Sequence, residues 1–427
     1  MTLISVLPII NLLNMTIRES ILKFFIRDEI SQVSEIEKRT FFLDTIRSGV
    51  DGIEITLAPS VFLLIAIQFF NVSDFLNSII SSSIFIGLMF SLFTSSLFAH
   101  KKPTVISGFF TIAGGFLLIV LGFAQNPIIY SIVVLFHCIT IYQRPPLFTA
   151  IYESNYAPSR RGRLYSAGIL LAIVAGLLSN YFFGIWLEID LENFRWIFIA
   201  SGFLFLFSGR LLIKIPYSSE KKKSKKNPLK NLGLLIKYPI FGIVSISWFI
   251  MGFANLWSKP LRIVYLVETE RGLGLSPFIA LIILGFVPNA VKLLFNNLWA
   301  RIFDRFSFLP IRIITTLFIG SGIFLFFSTD RISIIIIAQI LMNIGFACSP
   351  FIWNLWVTQI APPGESQAFM SVHTFLCGVR GIIGPFVGFL FIQQFSMRSV
   401  GIISLVLNII SVLILLPFLN HSAIRRR

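Results

Sequence analysis

Charge is scarce in this sequence. Asp, Glu, Lys and Arg make up 13% of its 427 residues, against 56% hydrophobic, where a soluble domain is about a quarter charged. So little polar side chain cannot cover a water-facing surface, and a disordered chain would need low hydrophobicity. Cysteine is scarcer still. Cys138, Cys348 and Cys377 are too few and too scattered for a disulfide scaffold or a zinc module. Also missing are His-Glu-x-x-His, Gly-x-Ser-x-Gly, a phosphate loop and any cysteine–histidine cluster. The nearest nucleophile pattern, Gly364-Glu365-Ser366, has no credible base in its loop. No enzyme, metal site or cofactor is therefore expected. Acidic residues are outnumbered 19 to 35 by basic ones. That imbalance would suit nucleic acid, but the charges sit in short segments between apolar runs, so no nucleic-acid partner is expected. What is abundant, 47 Phe in continuous apolar stretches, makes this a polytopic membrane protein.

Twelve apolar segments long enough to cross a bilayer as helices, about 20 residues each, lie near 48–70, 75–98, 104–124, 127–151, 164–186, 194–214, 238–266, 277–299, 310–328, 332–357, 368–394 and 399–418. The runs are continuous rather than alternating, which excludes a barrel and predicts an all-α fold. Residues 15–47 mix charge with Phe, Ile and Leu and read as an amphipathic helix on the membrane surface. Met1 to Leu13 lacks a basic flank and a cleavage pattern, so no leader is expected.

Basic residues write the topology. With the N-terminus inside, inner loops hold Lys101-Lys102, Arg160-Arg161-Arg163, the tract Lys221 to Lys226, Arg301-Arg305 and the tail Arg425-Arg426-Arg427. Outer loops are nearly bare of positive charge: Asn71 to Asp74, Gln125-Asn126, and the acidic Glu188 to Glu192. One outer loop, near Arg262 and Arg271, is the exception, and it also carries Glu268 and Glu270. The bias predicts both termini in the cytoplasm. The chain then divides into a cytoplasmic N-terminal segment (1–47), a six-helix bundle (48–215), a basic linker (216–236), a second bundle (237–418) and a basic tail (419–427). The linker reads as a solvated topology signal that also suits anionic lipid head groups.

The two bundles echo each other. At one offset of 204 residues, Ala157-Pro158 falls on Ala361-Pro362 and His100-Lys101 falls on Asp304-Arg305. A duplicated six-span unit is the expectation. The stretch Ala300 to Arg305, small-x-x-x-Asp-Arg, resembles the loop signature of the major facilitator superfamily, although Ala300 and Phe306-Ser307 replace its usual glycines. Tyr156 to Arg163 resembles that superfamily's Pro-x-x-Arg-Gly link after span four. Gly378 to Pro385 is similar to the Gly-rich Arg-Gly segment of some bacterial members. The resemblance covers nearly the whole chain and implies a transporter of two six-helix bundles in a bacterial inner membrane. It is not specific for a substrate, since this fold carries many. It also implies gating roles for Asp304 and Arg305, and for Arg161 and Gly162 with Glu153 as acidic partner; plain anchoring of helix ends is the alternative.

A charge at the bilayer centre costs at least about 2.5–3.5 kcal/mol, so the charges inside spans are the most informative residues. They are Asp51 and Glu54 in span one, Arg144 in span four, Lys292 in span eight and Arg380 in span eleven. Each continues a stripe at helical spacing: Arg47-Asp51-Glu54, His137-Thr140-Arg144, Asn289-Lys292-Asn296 and His373-Cys377-Arg380-Gly384. In the superfamily, spans one, four, eight and eleven border the central cavity. Arg380, Lys292, Arg144, Asn289, Asn296, His373 and Trp353 are accordingly the substrate-contact candidates. Glu54, Asp51 and His137 are the proton-coupling candidates. Each has a structural alternative. Asp51 would cap span one, Glu54 would pair with Arg144, and Arg380 would bind Glu54 or backbone carbonyls. Trp248, Trp257, Trp353 and Trp356 would serve packing. Pro59, Pro145-Pro146, Pro260, Pro288, Pro350 and Pro385 fall within spans and predict kinks. Three positive charges against two negative favour an anionic solute. The expectation is a secondary transporter working by alternating access, with proton-coupled symport through Glu54 as one form of it. Its alternatives are a gradient-driven exchanger of phosphorylated metabolites and a non-transporting receptor.

Overall fold

The computed structural model describes residues 33–98, 101–157, 161–217, 232–349, 352, 356–357, 360–362 and 366–419. Among these no strand occurs, and ten helices are long and apolar enough to cross a membrane. The first span is α1 (Glu35–Thr56), a π turn (Leu57–Val61) and α2 (Phe62–Gln68) in one continuous run. There follow α3 (Asp74–Leu97), α4 (Pro103–Gly122), α5 (Pro127–Ile141), α6 (Pro145–Asn155), α7 (Arg161–Ile189) and α8 (Phe194–Ile213). The second half has α9 (Pro239–Val267), α10 (Pro277–Leu281), a second π turn (Ile282–Phe286) and α11 (Val287–Arg305). It closes with α12 (Phe308–Phe327), α13 (Ile332–Ala347), α14 (Ser366–Phe391) and α15 (Met397–Leu415). Counting α5 with α6, and the segments on either side of each π turn, as single spans, the described residues give twelve spans in two sets of six.

Local chemistry explains the boundaries. Ser34 and Glu37 form a reciprocal capping box that starts α1. Pro103, Pro127, Pro145, Pro239 and Pro277 each stand first in a helix, where the missing N–H would have no partner anyway. Pro59 lies in the first π turn and Pro288 just after the second, so two of the expected kinks are widened turns. Pro145 splits span four into α5 and α6, while Pro260 and Pro385 remain inside helices. Pro350 lies outside the described residues.

The repeat is written in the helices themselves. Starting points in the second half fall 203 to 205 residues after their counterparts in the first, for all six spans. One expectation is corrected. Residues 35–47 do not lie apart on the membrane surface; they are the first turns of α1, with Glu37, Thr40, Phe41, Asp44 and Arg47 buried. Their polar atoms find partners inside the first bundle. Asn155 donates to Thr40, and Glu37 accepts from the Ala157 amide at 3.0 Å, tying α1 to the loop after α6. Residues 15–32 of that expected helix lie outside the described residues, as do 218–231 of the basic linker.

The halves meet along α3 and α14 on one side and α7 with the second π turn on the other. Gly378 and Gly381 of α14 let Met89 and Phe85 of α3 approach so closely that an added Cβ would collide with them. Among the described residues, hydrogen bonds between the halves run from mid-span to the end expected to face outward. Ser82 donates to Ile382 O at 3.1 Å and Gln68 to Leu275 O at 3.4 Å. The Phe278 amide donates to Glu188 at 3.2 Å, and Gln393 donates to Asp74 at 3.3 Å. These bonds close that end of the cleft between the halves.

Candidate functional site: charges within the bundles

On α1, Asp44, Arg47, Asp51 and Glu54 follow one another at helical spacing and share a face turned into the first bundle. Arg47 Nε donates to Asp44 Oδ1 at 2.9 Å, and another of its nitrogens binds Asp51. Tyr152 O–H donates to Asp44 Oδ1 at 3.0 Å. Arg144, capping α6 just below the Pro145 break, reaches Asp51 Oδ1 at 3.1 Å, Thr111 Oγ1 at 3.1 Å and the Ile141 carbonyl at 2.9 Å. The Phe148 ring lies 4.2 Å from the Arg47 guanidinium carbon. Two acids and two bases thus neutralise one another in a buried chain. Asp51 is a link in it rather than a cap, for it sits mid-helix. Arg144, a substrate-contact candidate, is engaged by protein on three sides.

Glu54, one turn deeper, does not pair with Arg144. Its Oε2 lies 3.0 Å from His137 Nε2, while His137 Nδ1 lies 2.9 Å from the Gly114 carbonyl. A carbonyl only accepts, so Nδ1 carries a hydrogen. The short contact at Nε2 then requires one further proton, held either by the imidazole or by the carboxyl. Removing it would set a nitrogen lone pair against a carboxylate in a fully buried place, where Glu54 Oε1 already has no hydrogen-bond partner. Two proton-coupling candidates on different spans are thereby brought within hydrogen-bond distance.

The second bundle is different in kind. Arg380 donates to the Trp248 carbonyl and, at 3.4 Å, to Cys377 Sγ. His373 is edge-on to Trp248 and to Trp356, each at 5.2 Å between ring centres. Trp248, Trp257 and Trp356 are buried and pack within the second bundle. Arg312 of α12, 1% exposed, stacks its guanidinium 3.9 Å over the Trp248 ring and bonds Thr316, but its Nε and Nη2 have no hydrogen-bond partner. Asn289 is buried against α7 beside Gly176. Lys292 is partly accessible.

Sequence reasoning missed four features. Asp44 continues the α1 stripe by one turn, a signal lost when that stretch was read as a surface helix. Arg262, assigned to an outer loop, is inside α9 and 7% exposed. With Asn255 and Lys259 it forms the same three-and-four spacing that marks the other stripes. Arg312 has Thr315 and Thr316 at that spacing, so its signal is present in the sequence too. The fourth is a clamp at the closed end. Arg271 donates to both oxygens of Asp74 at 2.9 Å, and to Glu268 at 2.7 and 3.0 Å. Asp74 starts α3 in the first half, so the clamp ties the halves together. The hydrogen bonds that Arg271 donates to Asp74, and secondarily to Glu268, hold its pKa above the ordinary value, against the lowering effect of burial. A cavity of about 580 Å³ lies behind this loop, lined by Tyr265, Glu270 and Asp330 among others, away from the buried charges.

Trp353 lies outside the described residues. So do the side chains of Asn296, Glu153, Arg161, Asp304 and Arg305, and whatever surrounds Gly162; for these the helical backbone alone is described, that of α11, α6 and α7.

A family model described as Major Facilitator Superfamily matches residues 145–385. No curated protein matches the chain by sequence. Similar solved structures include a mutant of the nucleoside transporter NupG, at TM-score 0.71 and 12% identity, covering 89% of this chain and 98% of that one. A D-xylose-proton symporter follows at 0.69 and 16%, covering 90% and 97%. A POT family transporter in complex with a thioalcohol-conjugated peptide stands at 0.67 and 14%, covering 90% and 96%.

Proposed function

Because the chain belongs to the Major Facilitator Superfamily, we propose that it is a secondary active transporter that carries a small anionic solute by alternating access, coupled to a proton at Glu54 and His137. The carrying observation is the Glu54–His137–Gly114 arrangement. It binds one proton beyond the fixed Nδ1 hydrogen, and it sits on α1 and α5, elements of the moving first half. When that half rocks and water reaches the pair, the proton has an alternative acceptor and leaves. An anionic solute is supported by the charge distribution: the buried acids of α1 are paired within the first half, while Lys259, Arg262, Lys292 and Arg312 of the second half have no carboxylate partner among the described residues.

The clamp of Asp74, Arg271 and Glu268 acts in this reading as the outer gate, made in the closed-outside state and broken when the halves rock. On the opposite face, Asp304, Arg305, Arg161, Gly162 and Glu153 are proposed as the inner counterpart. The basic loops support a cytoplasmic position for that face and for both termini, in a bacterial inner membrane. Two structurally similar proteins are named as a proton symporter and a nucleoside transporter; that is consistent with solute carriage here and silent on the solute.

The test is uptake into proteoliposomes from a panel of anionic, neutral and cationic metabolites, with and without an imposed pH gradient. Accumulation of an anion driven by the gradient is expected. In Glu54→Gln the gradient-driven accumulation should vanish while exchange of internal for external solute continues. Undiminished accumulation in Glu54→Gln would sink the proton role, and exchange insensitive to pH in the wild type would favour the gradient-driven exchanger.

A further inference from the structure

Gly176, Asn180, Gly184 and Glu188 stand four residues apart on α7 and form one line against span eight of the other half. A Cβ at Gly176 would stand 3.4 Å from Asn289 Nδ2, and one at Gly184 would stand 3.0 Å from the Phe278 ring. Between the two glycines lies Asn180, 1% exposed. Its Nδ2 donates to Thr56 Oγ1 at 2.8 Å and to the Gly176 carbonyl at 2.7 Å. A carbonyl only accepts, so the amide is oriented one way and Oδ1 points to the other side. There Oδ1 meets Gly285 of the second π turn so closely that an added Cβ would collide with it. That oxygen has no hydrogen-bond partner.

The two ends of this side chain answer to different parts of the molecule. Thr56 and Gly176 both belong to the first half, so the bonds of Nδ2 persist whether the halves are together or apart. The Oδ1 contact crosses to the second half and lasts only while the outer end is closed. A carbonyl oxygen buried without a donor loses its hydration and gains nothing in exchange. Moving α7 away from the π turn returns water to it. Thr56 is also two residues beyond Glu54, so Asn180 joins the stretch of span one that carries this carboxylate to span eight.

We propose that Asn180 is a positioning residue of the transport cycle: it seats span one and α7 on Gly285, and its unpaired oxygen keeps the closed outer end from becoming permanent. Gly285 belongs to the same device, because only a hydrogen there leaves room for the amide. This deepens the alternating-access reading and rests on it.

The test reads distances between spin labels on Glu192 and Ser276, one on each half at the outer end, in the full-length purified protein without solute. Every sample carries Arg271→Gln, which weakens the outer clamp so that short and long separations can both be counted. Asn180→Ala removes the unpaired oxygen and should raise the ratio of closed to open about tenfold. Asn180→Asp sets a charge in the same place and should shift the ratio toward long distances. Gly285→Ala should also open the outer end, since its methyl meets Oδ1. Adding Asn180→Ala to it should restore closure, because the shorter side chain makes room. A residue that only fills space would not move in opposite directions with alanine and aspartate, nor rescue its neighbour. Should Gly285→Ala fail to fold, recovery of folded protein in the double variant supports the same contact, and no recovery counts against it. A shift of Asn180→Ala toward the open form, an unchanged ratio, or Gly285→Ala without rescue overturns the proposal. Distances that move as expected in a protein that carries no solute would keep the contact and remove the carrier reading. Transport with distances indifferent to both residues would do the reverse.

Discussion

Arg47 shows how much a single side chain carries here. It holds Asp44 at 2.9 Å, binds Asp51, and touches Ser48 at 2.9 Å while lying over Phe148. Replacing it with methionine would leave Asp44 buried and answered only by Tyr152 O–H. Breaking a buried ion pair from one side costs about 3–5 kcal/mol. Arg47→Met should therefore lower the thermal midpoint strongly or abolish folded protein in detergent. Arg144→Gln should be milder, since Asp51 keeps Arg47; comparable losses in the two variants would show that the chain is not ordered as described. At the same scale, Asp51 and Glu54 share a face of α1 as their spacing predicts, and of the two it is Asp51 that meets Arg144 while Glu54 meets His137. Helical spacing says which residues share a face, while the identity of the partner across the bundle depends on how α5 and α6 are broken at Pro145.

Between elements, glycine sets the closest approach. On α4, Gly108, Gly115 and Gly122 recur every seven residues, and each faces α8 in antiparallel register: Gly108 against Gly209, Gly115 against Gly202, Gly122 against the Arg195 carbonyl. A seven-residue repeat keeps one seam facing its partner along the length of both helices. A Cβ at Gly115 would stand 2.8 Å from the Gly202 carbonyl oxygen and 2.9 Å from Phe205 Cβ. Backbone cannot yield as a side-chain tip can, and overpacking of this kind costs about 1–3 kcal/mol. Gly115→Ala should lower the thermal midpoint, Gly115→Leu more so, with the proton and solute behaviour of surviving protein unaltered. A midpoint unchanged by the leucine would mean that the seam is looser than its geometry. In lipid, where helices gain nothing from hydrophobic contact, such close packing supplies the association.

At the scale of the whole molecule, the closed outer end is held by few polar contacts, and the Arg271 clamp is the only ion pair between the halves among the described residues. Charge-assisted hydrogen bonds contribute about 1.5–3 kcal/mol each when well buried, and partial exposure of Arg271 and Asp74 reduces that. Asp74→Asn with Arg271→Gln should shift the population toward an open outer end by about tenfold, corresponding to roughly 1.4 kcal/mol. Spin labels placed on Glu192 and Ser276 would report it as longer distances, and the swapped pair Asp74→Arg with Arg271→Asp should partly restore closure. Unchanged distances would remove the clamp from the gate. A cation whose pKa is raised keeps its stabilising charge until pH climbs past that raised value. The clamp should accordingly not loosen at moderately alkaline pH on the arginine side.

Periodicity, composition and the placement of basic residues determined the class of this protein: twelve spans, two related halves, and polar stripes that must turn away from lipid. Those are properties each segment has alone, because a bilayer judges each helix by its own apolar length and each loop by its own charge. Tertiary structure decided the pairings. Glu54 met His137 rather than Arg144, Arg262 proved to be buried within α9 rather than in an outer loop, and Asp74 found Arg271 across 197 residues of chain. Such choices rest on which faces two bundles present to each other. That is a matter of breaks, widened turns and glycine contacts acting at a distance in sequence, and a charge gains its meaning there only from what is packed against it.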